Sequence, residues 1–278
     1  PMSFPGTAPA SAPVSAPAPS AAPMPAALSV KVGDRIVTVA FEDYIAATAL
    51  SEITPVGESA TAVAAIYDVQ TIVARTYAVA HLGRHRAEGY DLCDGTHCQL
   101  YEPARLATSR FAAEARAAAA RTAGQVLEYR DRPIDALFHA DCGGHTASPD
   151  QVWGTAPRPY LPSEPDTAPA VSHRQWSVTI SRDQLRQALN AESRTAVGRS
   201  LLGVKINGRD GGGRVTTVRV SGTVARTLRS DDFRAAANRV LGVRGILSTR
   251  FSVARRGTTY TFTGTGFGHG VGLCQTGA

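Results

Sequence analysis

The sequence predicts an α+β fold: a helical core around the helix that carries Glu52, flanked by β-hairpins, with a second α+β lobe later in the chain. Three observations predict it. Leu28 to Phe41 alternates apolar and polar residues in two short runs, the period of half-buried strands. Ser59 to Leu82 sets Val63, Ile66, Val69, Val73, Tyr77 and Ala80 at three- and four-residue spacing, as a core helix does. From Trp176 onward, stretches of both kinds alternate. With 278 residues, 43% of them apolar, the chain is long enough to bury a core, which excludes disorder throughout.

In order along the chain, residues 1–27 come first. Pro, Ala and Ser dominate from Ala8, there is no charge, and no aliphatic run has the length of a signal-peptide core, so we expect a disordered linker. Leu28, Val30 and Val32 line one face of a first strand and Val37, Val39 and Phe41 one face of a second, across a Gly33-Asp34 turn. In the helix that follows, Ile45, Ala49 and Glu52 fall at i, i+4 and i+7. The carboxylate therefore continues an apolar stripe. Desolvation there raises a Glu pKa, which keeps the acid protonated near neutral pH and suits it to general acid work. Pro55 and Gly57 stop the helix and leave Glu52 at its rim. Taken alone, the position equally suits an ordinary helix-end Glu with its head in water.

On the core helix, Asp68, Ile72 and Arg75 share a second face, where Asp68 would orient Arg75 beside a ligand; a purely structural ion pair is the competing reading. His81 to Tyr101 is a loop rich in metal-ligand side chains. Ala104 to Ala123 reads as one helix ended by Gly124, followed by strands Val126 to Tyr129 and Ile134 to His139 across Asp131-Arg132. Pro149 to Pro169 holds six prolines and must be irregular. The second lobe then reads as a strand at Trp176 to Ile180, a helix at Ser181 to Leu189, strands near Leu202 to Ile206 and Val215 to Val220, a helix at Ser230 to Val240 and a closing hairpin from Phe251 to Thr263. The glycines of 208–214 make a turn; they lack the Lys-Ser/Thr pair of a phosphate loop. These boundaries divide residues 28–278 into a core (28–170), an α+β lobe (171–250) and a closing hairpin with a Gly-rich motif (251–278).

The formal charge of +6 comes from 27 arginines and only Lys31 and Lys205 as lysines. No run of five like charges and no nucleic-acid-binding motif is present, so a nucleic-acid partner is excluded, while weak attraction to an anionic surface is compatible. Four cysteines carry more information. Cys93, His97 and Cys98 lie together, with His85 upstream; Cys142 and Cys274 sit far apart in Gly-rich motifs that also hold His139, His145 and His269. Thiolate and imidazole ligands suit zinc. An even number of cysteines equally suits disulfides.

The words ALSE, VQTIVARTYAV, YDLCDGTHCQLY, FHADCGGHT, VWG, PYL and GFGHGVGLCQTGA follow one another from Ala49 to Ala278. In that order they resemble the SpoIID/LytB domain family of bacterial cell-wall proteins. The resemblance covers nearly everything after the first thirty residues. It implies a lytic transglycosylase acting on peptidoglycan glycan strands, with Glu52 at the position of the family's catalytic acid. The family's Ser-Glu-Met-Pro-like motif reads Ser-Glu-Ile-Thr-Pro here, one residue longer before the proline. It further implies a structural zinc not required for the chemistry, on Cys93 and Cys98 with His85 and His97, although the spacing departs from the family's. By the same resemblance Cys142 and Cys274 flank one groove and are expected to form a disulfide, metal binding being the alternative. Arg75, Thr76, Tyr77, His139 and Gln275 become expected sugar contacts.

A lytic transglycosylase needs one carboxylate, where an ordinary glycosidase needs two. Some members of the family are non-catalytic activators of another wall enzyme, which makes a cell-wall amidase partner the alternative. A zinc peptidase is disfavoured because HExxH is absent. An extracytoplasmic location in the cell envelope is expected. Since the chain starts at Pro1, an export signal or anchor is expected to have been removed; and since it stops after QTGA, where relatives continue into a short helix, truncation is expected there.

Overall fold

The computed structural model describes residues 24–168 and 170–278; most of the expected linker lies outside them. Strands β1 (Ala27–Val32) and β2 (Arg35–Ala40) form the expected antiparallel hairpin, with Val30 opposite Val37. Gly33 supplies the positive φ (57°) of its turn. Leu28 and Val30 are buried, and the chain passes directly into α1 (Phe41–Glu52), whose first turn carries Glu42 and Asp43 at the positive end of the helix dipole.

Helix α2 (Ala60–Ala80) is capped by Ser59, whose hydroxyl accepts from the Ala62 N–H. Its buried face differs from the expected stripe. Tyr67, Gln70, Thr71, Ala74 and Ala78 are inside while Val69 and Ala80 are exposed. The helix is covered on several sides, so its polar residues find partners within the core and periodicity alone does not identify its inner face.

The ligand-rich loop contributes a short strand, β3 (Leu92–Cys93), parallel to β1. The single helix expected from Ala104 is two, α3 (Arg105–Thr108) and α4 (Ala112–Arg121). Ser109 turns extended between them and its hydroxyl accepts from the Phe111 N–H, the local bond by which Ser competes with helix. Ala115, Ala118 and Ala119 of α4 pack on Ala46, Ala49, Leu50 and Tyr67.

The next expected strand pair shrinks to one bridge, Glu128 to Pro133. Its turn is centred one residue earlier than expected, on Arg130 and Asp131, both with positive φ. Strand β4 (Phe138–His139) is released from that hairpin to pair with the last strand of the chain. One short helix, α5 (Pro149–Trp153), with a capping box at Ser148, interrupts the proline-rich stretch.

The second lobe contains β5 (Gln175–Ser181), α6 (Arg182–Asn190), β6 (Leu201–Arg209), β7 (Val215–Gly222), β8 (Arg226–Arg229), α7 (Ser230–Leu241), β9 (Phe251–Arg256) and β10 (Thr259–Thr265). Two three-stranded antiparallel sheets, β5-β10-β9 and β6-β7-β8, share a core with both helices through Leu185, Phe233, Val218 and Phe262. Hairpin β9–β10 is thus part of this lobe rather than a separate closing piece. Strand β8 has no apolar alternation to announce it, since three of its four residues are polar. Finally β11 (Leu273–Cys274) returns to pair in parallel with β4. Gly272 permits this: a Cβ there would lie 2.0 Å from the Leu137 carbonyl oxygen. Among the described residues no helix is long and apolar enough to cross a membrane.

Candidate active site and metal cluster

Glu52 ends α1, and its side chain is neither free in water nor fully enclosed. Its Oε1 accepts from the Leu100 N–H at 2.7 Å. The loop that presents Leu100 is tied to the same helix end by the Glu102 N–H on the Ser51 hydroxyl (2.9 Å) and by Arg105 Nη1 on the Leu50 carbonyl (3.0 Å). Burial pushes the Glu52 pKa up to about 7; the Leu100 N–H works against the shift and the nearby Glu102 adds to it. The negative end of α1 acts in the same upward direction. Glu102 itself pairs with Arg105, so the second carboxylate in the neighbourhood is engaged. A hollow of about 400 Å³ lies next to this helix end, lined by Thr54, Glu102, Arg105, Ser109 and Phe111 among others; Glu52 itself is not in its wall. Glu52 thus sits half-withdrawn from water at the helix rim, with its carboxylate held by the Leu100 N–H.

The loop that fixes Leu100 also brings His85, Cys93, His97 and Cys98 together, with one ligand atom of each within 4.8 Å of all the others. Cys98 Sγ lies 3.5 Å from His85 Nε2, 3.9 Å from His97 Nδ1 and 3.1 Å from Cys93 Sγ, and Cys93 Sγ is 3.8 Å from His97 Nδ1. Ligands at ordinary Zn–S and Zn–N lengths in a tetrahedron are about 3.3–3.8 Å apart, so the sulfur–nitrogen distances match and the two sulfurs, at 3.1 Å, would move apart on binding. The donor set fits zinc. Glu88 Oε1 at 2.7 Å from His85 Nδ1 fixes the ring so that Nε2 faces the sulfur, the usual outer-shell device of a zinc histidine. Both cysteines are free thiols, and burial pushes Cys98 up to about 12, so a bound cation would displace its proton. Glu88 was not anticipated, although its i, i+3 spacing from His85 was a readable signal.

Several expected contacts are corrected. Arg75 is fully buried; its guanidinium pairs with Glu42 (2.7 Å) and donates to the Ala119 carbonyl, while Asp68 pairs with Arg121. The structural ion pair is the correct reading. Thr76 is buried too, its hydroxyl between the Ile72 carbonyl and the Leu127 N–H. Tyr77 is buried beside the metal cluster, accepting from Arg84 and reaching the His97 carbonyl; it supports that loop instead of a sugar. His139 is buried, with Nδ1 on the Val271 carbonyl, and burial holds its pKa at about 3. Gln275, expected against a sugar, donates to Gln70 of α2 at 3.0 Å. His145 and His269 bond the adjacent backbone at Thr146 and Val271, consistent with holding their glycine loops.

The disulfide expected between Cys142 and Cys274 is not formed, and both are free thiols. The fold does bring them together across 132 residues: the Cys142 N–H donates to Cys274 Sγ at 3.2 Å. Cys142 Sγ also lies 2.8 Å from Asp166 Oδ2. A cavity of about 470 Å³ lies between α2 and this C-terminal segment, lined by Val69, Val73, Tyr160, Leu273 and Cys274. Glu52 is not in its wall, and neither is any residue of the second lobe.

Comparison with known proteins matches residues 31–129 to the SpoIID family, described as Stage II sporulation protein, and residues 169–272 to a domain of unknown function, DUF8618. An uncharacterized protein of Brachyspira hyodysenteriae is 29% identical over 210 residues, 75% of this chain and 53% of that protein. Stage II sporulation protein D of Bacillus subtilis is 32% identical over 164 residues, 58% of this chain and 43% of its own length. An amidase enhancer of Bacillus subtilis is 25% identical over 253 residues, with 75% of this chain and 34% of the relative covered. The chain thus spans about half or less of the curated relatives it matches.

Proposed function

We propose, from the match of residues 31–129 to the SpoIID family, that the chain is a lytic transglycosylase of peptidoglycan glycan strands, working outside the cytoplasm with Glu52 as its one acid and base. The observation that carries this reading is a half-buried carboxyl group at a helix end, held by the Leu100 N–H and with its pKa pushed up to about 7 by burial, while the neighbouring Glu102 is paired with Arg105. Protonated, Glu52 gives its proton to the glycosidic oxygen between N-acetylmuramic acid and N-acetylglucosamine as the bond to the anomeric carbon breaks. The resulting carboxylate takes the proton of the muramic C6 hydroxyl, whose oxygen bonds to the same anomeric carbon. No water is consumed, and the product carries a 1,6-anhydro end. A pKa near the working pH suits a group that must serve in both forms.

His85, Cys93, His97 and Cys98 would hold a zinc ion, which when bound supplies structural cross-linking of the loop. Through Cys98 that loop positions Leu100, whose N–H partly offsets the desolvation of Glu52. Glu88 orients His85, and Tyr77 with Arg84 supports His97.

The test is to incubate purified glycan strands with the wild type and with Glu52→Gln. Soluble fragments from the wild type alone, with both proteins still sedimenting with strands, support the reading. The relative named as an amidase enhancer supplies the alternative: fragments from neither protein, with a wall amidase stimulated equally by both.

A further inference from the structure

We infer that the chain holds a second thiolate-imidazole metal site, formed by His139, Cys142 and Cys274 with Asp166 completing it, independent of the Cys93 cluster and suited to zinc. One ligand atom from each of His139, Cys142 and Cys274 lies within 4.8 Å of the other two, and all three residues are buried. The Nδ1 of His139 is held by the Val271 carbonyl, while its Nε2 is buried without a partner. That is the state of a histidine awaiting a cation: one nitrogen oriented by the backbone, the other bare. Asp166 brings a carboxylate to 2.8 Å from Cys142 Sγ.

Three further features fit a cation better than a disulfide. First, backbone N–H groups point at both sulfurs, from Cys142 to Cys274 Sγ (3.2 Å) and from Gly144 to Cys142 Sγ (3.2 Å), which stabilises thiolates. The Cys93 cluster has the same device, with the Cys93 N–H on Cys98 Sγ at 3.3 Å. Second, the fully buried Arg214 bonds the Cys142 carbonyl and brings a positive charge to balance two thiolates, a carboxylate and a divalent ion. Third, His173 flanks the same cysteine, with Nδ1 held by Asp141 and Nε2 also buried and unpartnered. A disulfide would leave the bare imidazole nitrogens and the carboxylate unanswered. A cation answers the His139 nitrogen and the carboxylate at once.

The site would clip three distant stretches: β4, the segment at Asp166, and β11, whose Cys274 lines the cavity beside α2 together with Asp166. It is a staple for that wall, with four ligands and no open position for chemistry.

Zinc content of the full chain, purified in air without added metal or chelator, gives the test. Two equivalents per chain are expected. Cys93→Ser/Cys98→Ser should retain one, and Cys142→Ser/Cys274→Ser should retain the other. Should the latter variant not fold, Co²⁺ loaded into Cys93→Ser/Cys98→Ser gives the answer: a thiolate-to-cobalt charge-transfer band from the second pair is expected, weakened at least tenfold in apparent affinity by adding His139→Gln. Loss of all metal in Cys93→Ser/Cys98→Ser with no cobalt band, or a Cys142–Cys274 crosslink in the peptide map, overturns the site. Neither readout depends on glycan cleavage.

Discussion

Replacing Glu52 by Gln should make the protein more stable above neutral pH while abolishing strand cleavage. The folded-state pKa is raised from 4.5 to about 7 by burial. Below the unfolded value both states are protonated and the substitution changes little. Between that value and about 7, the folded state keeps a proton that the unfolded chain has lost, so stability falls as pH rises. Above about 7 the whole penalty of ionising a desolvated carboxyl is present. A shift of this size corresponds to about 3 kcal/mol, an upper figure because solvent reaches the rim of the site. Gln never ionises and keeps an oxygen for the Leu100 N–H, so near pH 8 the variant should gain about 1–3 kcal/mol. For a chain of this size that is a rise of several degrees in Tm. Urea unfolding of both proteins near pH 4 and near pH 8 measures it. Equal stabilities at both values, or a loss near pH 8, would mean that Glu52 is an ordinary solvated carboxylate, and the acid-base argument would lose its footing.

Three more outcomes follow from particular contacts. Cys98→Ser should lose the zinc of the first cluster and lower Tm, with metal content and unfolding read on the same sample; unchanged metal would remove Cys98 from the ligand set. Glu42→Ala leaves the fully buried Arg75 without its carboxylate, and should cost about 3 kcal/mol by urea unfolding; a cost under about 1 kcal/mol would mean that the backbone carbonyls around the guanidinium suffice. Gly272→Ala forces a Cβ to 2.0 Å from the Leu137 carbonyl oxygen at a φ of +78°, and should destabilise the β4–β11 pairing by at least about 2 kcal/mol; hydrogen exchange of the Leu273 N–H, which donates to Leu137, would show unaltered protection if the backbone yields freely.

What could be read in the sequence was local. The Leu28–Phe41 hairpin and the helix-end Glu52 follow from residue periodicity and stop signals within one stretch, and the second lobe's helices and most of its strands were legible for the same reason. Partners distant in sequence were not. Arg75 was read against Asp68, seven residues away on the same helix, when its carboxylate is Glu42 on α1. The inner face of α2 does not follow its apolar period because Gln70 accepts from Gln275 and Thr71 bonds Thr122, contacts that no helical period announces. The gathering of His85, Cys93, His97 and Cys98 is legible by residue type, since Cys and His so close in one loop limit the alternatives. Asp166 and His173 carry no such local signal and become visible only once β11 has returned to β4.

The most direct measurement of the central claim is the mass of the new ends that the protein makes on purified glycan strands. Intramolecular attack by the C6 hydroxyl predicts muramic ends lighter by one water than the corresponding reducing sugars, in equal number to the bonds cut and absent with Glu52→Gln. Ordinary reducing ends, with oxygen from labelled water incorporated, would contradict the account and require a second carboxylate or an activated water that it does not contain.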